Sequence, residues 1–364
     1  MDNISTVDSS IFFNTAGRSK QPLQVFIGGR GVGKTFSTLR NNVWDESKEE
    51  VIIPQSQYSG KFMYVRNTQK QIDLCGKAAG NPYKKINAKL GISITPRKDG
   101  DMCLFYADDV SGVKRASKIT SPLLGYGVAL STFGNMRGGD FSDVDSMVFD
   151  EFIDPSARIR ALMKTAGVDF QNLRETVARN REIEGQEPLA IKLLSNSITL
   201  DSPILLELGI ANTIAHMIMV NQHRCTIPEK GIYIELVENK EFEELKKETT
   251  LYKASKEDTL FVQQALKNQF FGDNFDLIRK NAPVNEYTPK FTVNKAFTLY
   301  RHKSRNEWFC SAKSIQKNCP TYTSSDMDRL IDDWSFLYKR WILSRKIFFD
   351  NYATKLLADS LMKQ

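Results

Sequence analysis

An α/β fold built on a mostly parallel sheet is predicted for this chain by three observations. Through the first two hundred or so residues, apolar runs of four to six residues alternate with helix-like stretches. A glycine-rich loop follows directly on the first of these runs, and two adjacent carboxylates cap a later one. Runs this short, flanked by loop chemistry and separated by helical segments, fit strands buried on both faces by crossover helices.

Taken in order, residues 23–27 form the first strand, which runs into the glycine loop, and residues 35–44 form the helix after it. Residues 62–65 give a second apolar run. Residues 92–95 and 102–106 pair as a hairpin, because Arg97-Lys98-Asp99-Gly100 has turn chemistry. Residues 127–131, 146–149 and 191–194 complete the strands. The pattern changes after Glu235: residues 238–247 are charge-dense and helical, and residues 258–271 carry a second amphipathic pattern. Asn281-Ala282-Pro283 and Thr288-Pro289 then break the chain. The predicted division is an α/β domain over 1–236, a small helical linker over 237–285 and an α+β C-terminal domain over 286–364. That last part opens with two paired strands, 290–300 and 307–311, and ends in an aromatic-rich helical stretch over 326–361.

Composition narrows the class. At 364 residues, two or three domains are expected, and 41% hydrophobic with 26% charged residues is ordinary for a soluble globular chain. No run approaches the eighteen or so apolar residues of a membrane helix; the nearest, 205–220, is broken by Glu207, Asn212 and His216. Residues 1–10 carry two Asp and no Lys or Arg, unlike a secretory signal. The five cysteines are scattered, with no CxxC pair, so reduced thiols are expected rather than a disulfide framework or zinc site. Of the net charge of +7, most lies after residue 285, where 14 Lys/Arg face 8 Asp/Glu. A polyanion, most simply nucleic acid, is the natural partner of such a segment.

The glycine loop reads Gly28-Gly29-Arg30-Gly31-Val32-Gly33-Lys34-Thr35 and meets the pattern GxxxxGK[ST]. Glycines let successive N–H groups turn inward onto phosphate oxygens. Lys34 reaches the β- and γ-phosphates of ATP, and the Thr35 hydroxyl ligates Mg²⁺. The helix that follows aims its N-terminal dipole at the same anions. A strand directly before and a helix directly after are what this mechanism requires.

About 115 residues downstream, Ser146-Met147-Val148-Phe149 ends in Asp150-Glu151. In ATPases with such a loop, the aspartate holds the metal and the glutamate positions and polarises the attacking water. The adjacent glutamate marks the additional-strand, catalytic-glutamate class of P-loop NTPases. Asn196, at the end of the 191–194 strand, is placed to hydrogen-bond the γ-phosphate or the lytic water. Phosphoryl transfer also gains from a cation on the equatorial oxygens. Four arginines are placed for this: Arg30 inside the loop, Arg137 in a glycine-rich segment, and Arg179 and Arg181 at the end of a helix, from which they can reach a neighbouring subunit; Arg179 is the first choice and Arg137 the second.

Together these residues resemble the DNA-packaging ATPases of phi29-like phages, compact relatives of the large terminases. The resemblance is carried by Val25 to Thr35 with its loop arginine, Phe62-Met63-Tyr64-Val65-Arg66, Val148-Phe149-Asp150-Glu151-Phe152-Ile153, Arg179-Asn180-Arg181-Glu182, Leu194-Ser195-Asn196 and Asn268-Gln269-Phe270-Phe271-Gly272-Asp273. It implies a homo-oligomeric ring, of five subunits, docked on the portal of an empty capsid in the host cytoplasm and absent from the mature virion. ATP hydrolysis at subunit interfaces would drive double-stranded DNA inward, with Arg179 at the family's finger position and Arg137 at a second basic position. A structural packaging RNA is a further partner in that family. The C-terminal part resembles the family's vestigial, RNase H-like nuclease domain. Its opening strands hold only Glu307, too few carboxylates for two metals, so no cleavage is expected. The alternatives are a helicase or replication-type DNA-dependent ATPase, and a nucleotide-dependent binding module without turnover.

Overall fold

The computed structural model describes residues 12–54, 60–108, 121–136, 138–154, 156, 159, 163–196, 199–255, 262, 275–280, 282–313, 315–316, 318–337 and 347–362. Arg137, the 268–273 segment and nearly all of the expected 258–271 helix lie outside these residues. The chain forms two compact units, Met1–Glu207 with Asn221–Phe271, and Leu208–Val220 with Gly272–Gln364.

The first unit is organised by a nine-stranded sheet. In chain order its strands and helices are β1 (Leu23–Gly28), α1 (Lys34–Asn41), the small ribbon β2 (Trp44–Asp45) and β3 (Glu50–Val51), β4 (Lys61–Arg66), α2 (Gln69–Cys75) and α3 (Lys84–Leu90). They continue with β5 (Ser93–Asp99), β6 (Met102–Asp108), β7 (Leu123–Ala129), β8 (Val144–Asp150), α4 (Ala166–Ala178), β9 (Ala190–Asn196) and α5 (Pro203–Glu207). After α6 (Ala211–Met219), which belongs to the second unit, come β10 (Arg224–Ile227), β11 (Ile232–Val237), α7 (Lys240–Lys247) and α8 (Thr250–Lys253).

The strand order is β10-β11-β1-β9-β8-β4-β7-β6-β5. The six from β11 to β7 are parallel, while β10, β6 and β5 pair antiparallel at the edges. A mostly parallel α/β sheet is therefore what forms. All of its central strands end on the same side, which brings the glycine loop, Asp150-Glu151 and Asn196 to one edge. Helix faces cover the sheet: Leu39 from α1, Ile72 from α2 and Ile86 from α3 are buried with Phe26, Phe62, Phe105 and Tyr83.

Several boundaries differ from expectation, each for a local reason. The first helix ends at Asn41 rather than 44, because Val43 is drawn into the core and Trp44–Asp45 pairs with Glu50–Val51. The hairpin turn lies at Gly100-Asp101, not 97–100, since Arg97 stays in register and pairs with Asp108 at 2.7 Å. The strand expected at 127–131 is β7, which begins at Leu123 and gives way to a 3-10 turn over Leu130–Met136. Gly125 makes the start possible: a Cβ there would lie 2.3 Å from the Phe62 carbonyl oxygen.

In the second unit, β12 (Tyr287–Val293), β13 (Phe297–His302), β14 (Trp308–Ser311), β15 (Thr321–Tyr322) and β16 (Ile347–Phe349) form a sheet of order β15-β12-β13-β14-β16. The α9 (Met327–Asp333) and α10 (Tyr352–Met362) helices complete it. The expected single strand over 290–300 is a hairpin, turned by Asn294 and Lys295 with φ of 49° and 54°. The expected helical stretch over 326–361 is interrupted by β16, whose Ile347 and Phe349 are buried beside Trp308 and Cys310. The α6 helix, which follows α5 in sequence, joins this unit, and Asn212 there accepts the backbone N–H of Ala353 at 2.8 Å.

Candidate active site

The loop between β1 and α1 is shaped by its glycines. Gly31 and Gly33 have φ of 84° and 106°, and a Cβ on Gly28 would lie 2.5 Å from the Val237 carbonyl oxygen. A strap from the N-terminal side holds the loop: Phe13 N–H donates to the Val32 carbonyl at 2.9 Å, and Thr15 Oγ1 bonds Thr38 Oγ1 at 2.9 Å. On its outer side, Lys246 of α7 donates to the Arg30 carbonyl, and Phe242 stacks on Phe12 with ring centroids 5.7 Å apart.

A cavity of about 550 Å³ opens at this edge of the sheet. Its polar wall is Lys34, Thr35, Asp150, Glu151, Ser195 and Asn196. Phe12, Phe36, Lys85 and Lys89 face them, and Arg30 stands at its mouth. Burial pulls the Lys34 ammonium down to about pKa 7; Asp150 pulls the other way, Lys246 lowers it further and Glu151 raises it. Its Nζ donates to the Gly28 and Gly29 carbonyls at 2.8 and 2.9 Å. Such a lysine is in place to gain a phosphate as its counter-charge.

Asp150 ties β8 to β4 and to the first turn of α1. Thr35 Oγ1 donates to its Oδ1 at 2.7 Å, while Tyr64 Oη and Arg66 Nη1 donate to its Oδ2 at 3.0 and 2.8 Å. The same guanidinium donates through Nη2 to Glu151 Oε2 at 2.6 Å. Burial works against the charge on Arg66, yet Tyr64, Asp150 and Glu151 outweigh it and raise its pKa. Glu151 has φ of 53°, a left-handed conformation that costs a glutamate about 1 kcal/mol or more. It is held there by Asn67, whose amide donates to the Glu151 carbonyl at 2.6 Å, and by Phe152 N–H bonding the Leu194 carbonyl at 3.1 Å.

The residues singled out in the sequence separate into two places. Arg30, Gly31, Gly33, Lys34, Thr35, Asp150, Glu151 and Asn196 line one cavity, with Gly28, Gly29 and Val32 building the loop behind them. Arg179 is elsewhere. It caps α4, donates to the Gly139 carbonyl at 2.7 Å and lies 3.6 Å from Asp140. Two residues on, Arg181 bonds the Val144 carbonyl and Asp145 at the first residues of β8. Asp150 and Glu151 lie at the far end of that strand, which at about 3.3 Å per residue is roughly 20 Å away. Arg179 therefore serves no part of its own chain's cavity.

Sequence reasoning named Tyr64 and Arg66 only as part of a resemblance and gave them no role. Phe12, Phe36, Lys85 and Lys89 were missed. The signal for Arg66 was present: an arginine ending an apolar strand that the parallel order sets beside the acidic one. Removing Arg66 leaves two carboxylates half-buried without their shared counter-charge. Arg66→Ala should destabilise the protein by about 3–5 kcal/mol in urea unfolding, and Arg66→Lys by less, since it keeps the charge and loses the fork.

A family model described as podovirus DNA encapsidation protein (Gp16) matches residues 103–309, more than half of the chain. The chain is 24% identical over 373 residues to the DNA packaging protein of Bacillus phage PZA, covering 98% of this chain and 99% of that one. Its fold is similar to the bacteriophage Phi-29 viral genome packaging motor assembly, with TM-score 0.61, 17% identity, and 97% and 99% of the two chains covered. It is similar also to the Phi-28 gp11 DNA packaging motor, with TM-score 0.60, 18% identity and 94% of each chain covered. The chain belongs to the podovirus DNA encapsidation protein (Gp16) family.

Proposed function

We propose that this protein is the ATP-driven motor that moves double-stranded DNA into a preformed capsid, hydrolysing ATP where subunits of a homo-oligomeric ring meet. The observation that carries the reading is the Thr35–Asp150 contact at 2.7 Å inside a cavity that also holds Lys34 and Glu151, in a member of a DNA encapsidation family. The β9 strand lies between β1 and β8, which supports the additional-strand class of P-loop NTPases. Relatives named as DNA and viral genome packaging motors support DNA as a partner. A capsid portal, a packaging RNA and a ring of five subunits are proposed from the resemblance of the motifs alone.

Two hard oxygen donors, Thr35 Oγ1 and Asp150 Oδ1, suit Mg²⁺, which takes few protein ligands and fills its shell with water and phosphate oxygens. When bound, Mg²⁺ would neutralise charge on the β- and γ-phosphates. Lys34 and the loop N–H groups hold the phosphates. Glu151 orients and polarises the attacking water, Asn196 contacts the γ-phosphate, and Arg66 sets the position of Glu151. Phe12 and Phe36 supply an aromatic wall to the cavity. Arg179 serves a neighbour's cavity, since its own is a strand's length away; Arg137 is the second basic residue proposed for that interface. We take the C-terminal unit as a nucleic-acid-binding module without cleavage activity.

Glu151→Gln should bind ATP and lose turnover by 10²- to 10⁴-fold, read as phosphate release with duplex DNA present; wild-type-like turnover would sink the mechanism. Phosphate favours the charged form of Lys34, so its pKa rises on binding. ATP affinity should therefore be level below about pH 7 and fall above it by up to about tenfold per pH unit, as measured by titration calorimetry. Mixing wild-type subunits with Arg179→Ala subunits should depress ATP turnover more steeply than dilution does. A linear fall would show that Arg179 does not act across subunits.

A further inference from the structure

The first 285 residues are nearly neutral as a whole, but one stretch of them is not. Between Gln69 and Lys98, seven Lys/Arg stand against one Asp. That Asp, Asp73, is taken by Lys98 at 2.9 Å, and Arg97 is taken by Asp108. Lys70, Lys77, Lys84, Lys85 and Lys89 remain exposed, and among the described residues none of them is in an ion pair.

These lysines are held on a rigid support. Tyr83 and Ile86 of the α3 turn are fully buried, and Tyr83 packs on Phe62 and Phe105. Asn81, just before the helix, and Asn87, at its middle, both donate to the Ile94 carbonyl at 3.0 Å, which fastens α3 to β5. With that face inward, α3 turns its lysines two ways. Lys85 and Lys89, one helical turn apart, line the ATP cavity. Lys84 lines a second concavity of about 510 Å³, with Lys77, Asn81, Thr95 and the small residues of the α2–α3 loop. No acidic side chain lines that groove among the described residues.

We infer that this groove between α2 and α3 binds the phosphate backbone of double-stranded DNA. A concave wall of small residues admits a backbone closely, and two unpaired lysines match its charge. The link through α3 argues for DNA rather than a structural RNA. A seven-residue helix joins the groove to the ATP cavity, so an occupant of the groove is felt by Lys85 and Lys89. A moving substrate has to be sensed at the ATP site, whereas a static scaffold does not. This inference rests on the DNA-packaging reading.

The test compares the full chain with the pair Lys77→Ala/Lys84→Ala and the charge-keeping pair Lys77→Arg/Lys84→Arg, measuring binding to a labelled DNA duplex by anisotropy across a salt series. The Ala pair should lower the slope of log K against log salt by about two, and the Arg pair should keep it. The DNA concentration that half-stimulates ATP turnover should rise with the Ala pair. If the wild type binds DNA and the Ala pair binds it equally, the groove proposal alone is overturned. An RNA duplex of the same length that binds the wild type more tightly than DNA, and loses more in the Ala pair, would assign the groove to RNA and overturn the proposal too. A wild type that binds no DNA duplex at any salt would overturn the packaging reading first, and this inference with it.

Discussion

The carboxylate of Asp150 accepts from Thr35, Tyr64 and Arg66, and the active edge of the molecule depends on those three bonds. They join the glycine loop, β4 and β8, which lie tens of residues apart in sequence. A hydrogen bond to a charged group contributes roughly 1.5–3 kcal/mol, so the set is comparable with a large part of a domain's net stability. It also fixes geometry: the Thr35 hydroxyl cannot sit 2.7 Å from Asp150 unless loop and strand end are in register. Arg66 then extends the network to Glu151, whose strained backbone is tolerated because Asn67 and β9 hold it on the other side.

The network makes the site of this DNA-packaging protein stiff where chemistry is proposed and open where a partner would enter. Lys34 is buried and bonded to two loop carbonyls, and burial works against its charge, an environment a phosphate would relieve. Arg179 is half-exposed and, among the described residues, its side chain is tethered to the Gly139 carbonyl and Asp140 beyond the opposite end of β8. A sheet whose strands are about 20 Å long places Lys34 and Arg179 on opposite edges. A head-to-tail arrangement of identical chains would bring the second edge of one to the first edge of the next.

Much of the fold and most of the candidate site were legible in the sequence because their signals are local. GxxxxGKT needs only eight consecutive residues to state its geometry, and an apolar run ending in Asp150-Glu151 carries its own direction. Strands β1, β4, β8 and β9 were visible for the same reason: buried parallel strands read as uninterrupted apolar runs. The errors fell where tertiary packing overrode local pattern. Lys290 to Tyr300 looks like one strand because Asn294-Lys295 lacks the glycine that usually marks a tight hairpin. The 326–361 stretch looks helical throughout because the burial of Ile347 and Phe349 beside Trp308 is decided by partners far away in sequence.

The phosphate loop, the acidic pair and the family they point to are each encoded within a few neighbouring residues, so the order of amino acids suffices to reveal them. Tertiary structure alone decided that Arg66 clamps both carboxylates, that α6 leaves its neighbours in sequence to join the C-terminal unit, and that α3 turns lysines toward two separate cavities. The charge count shows why. Summed along the chain, the first 285 residues are close to neutral, yet the fold pairs off the acids near α2 and α3 and leaves exposed lysines unpaired beside two cavities. Net charge is a property of composition, whereas a binding surface depends on which charges the packing leaves unpaired.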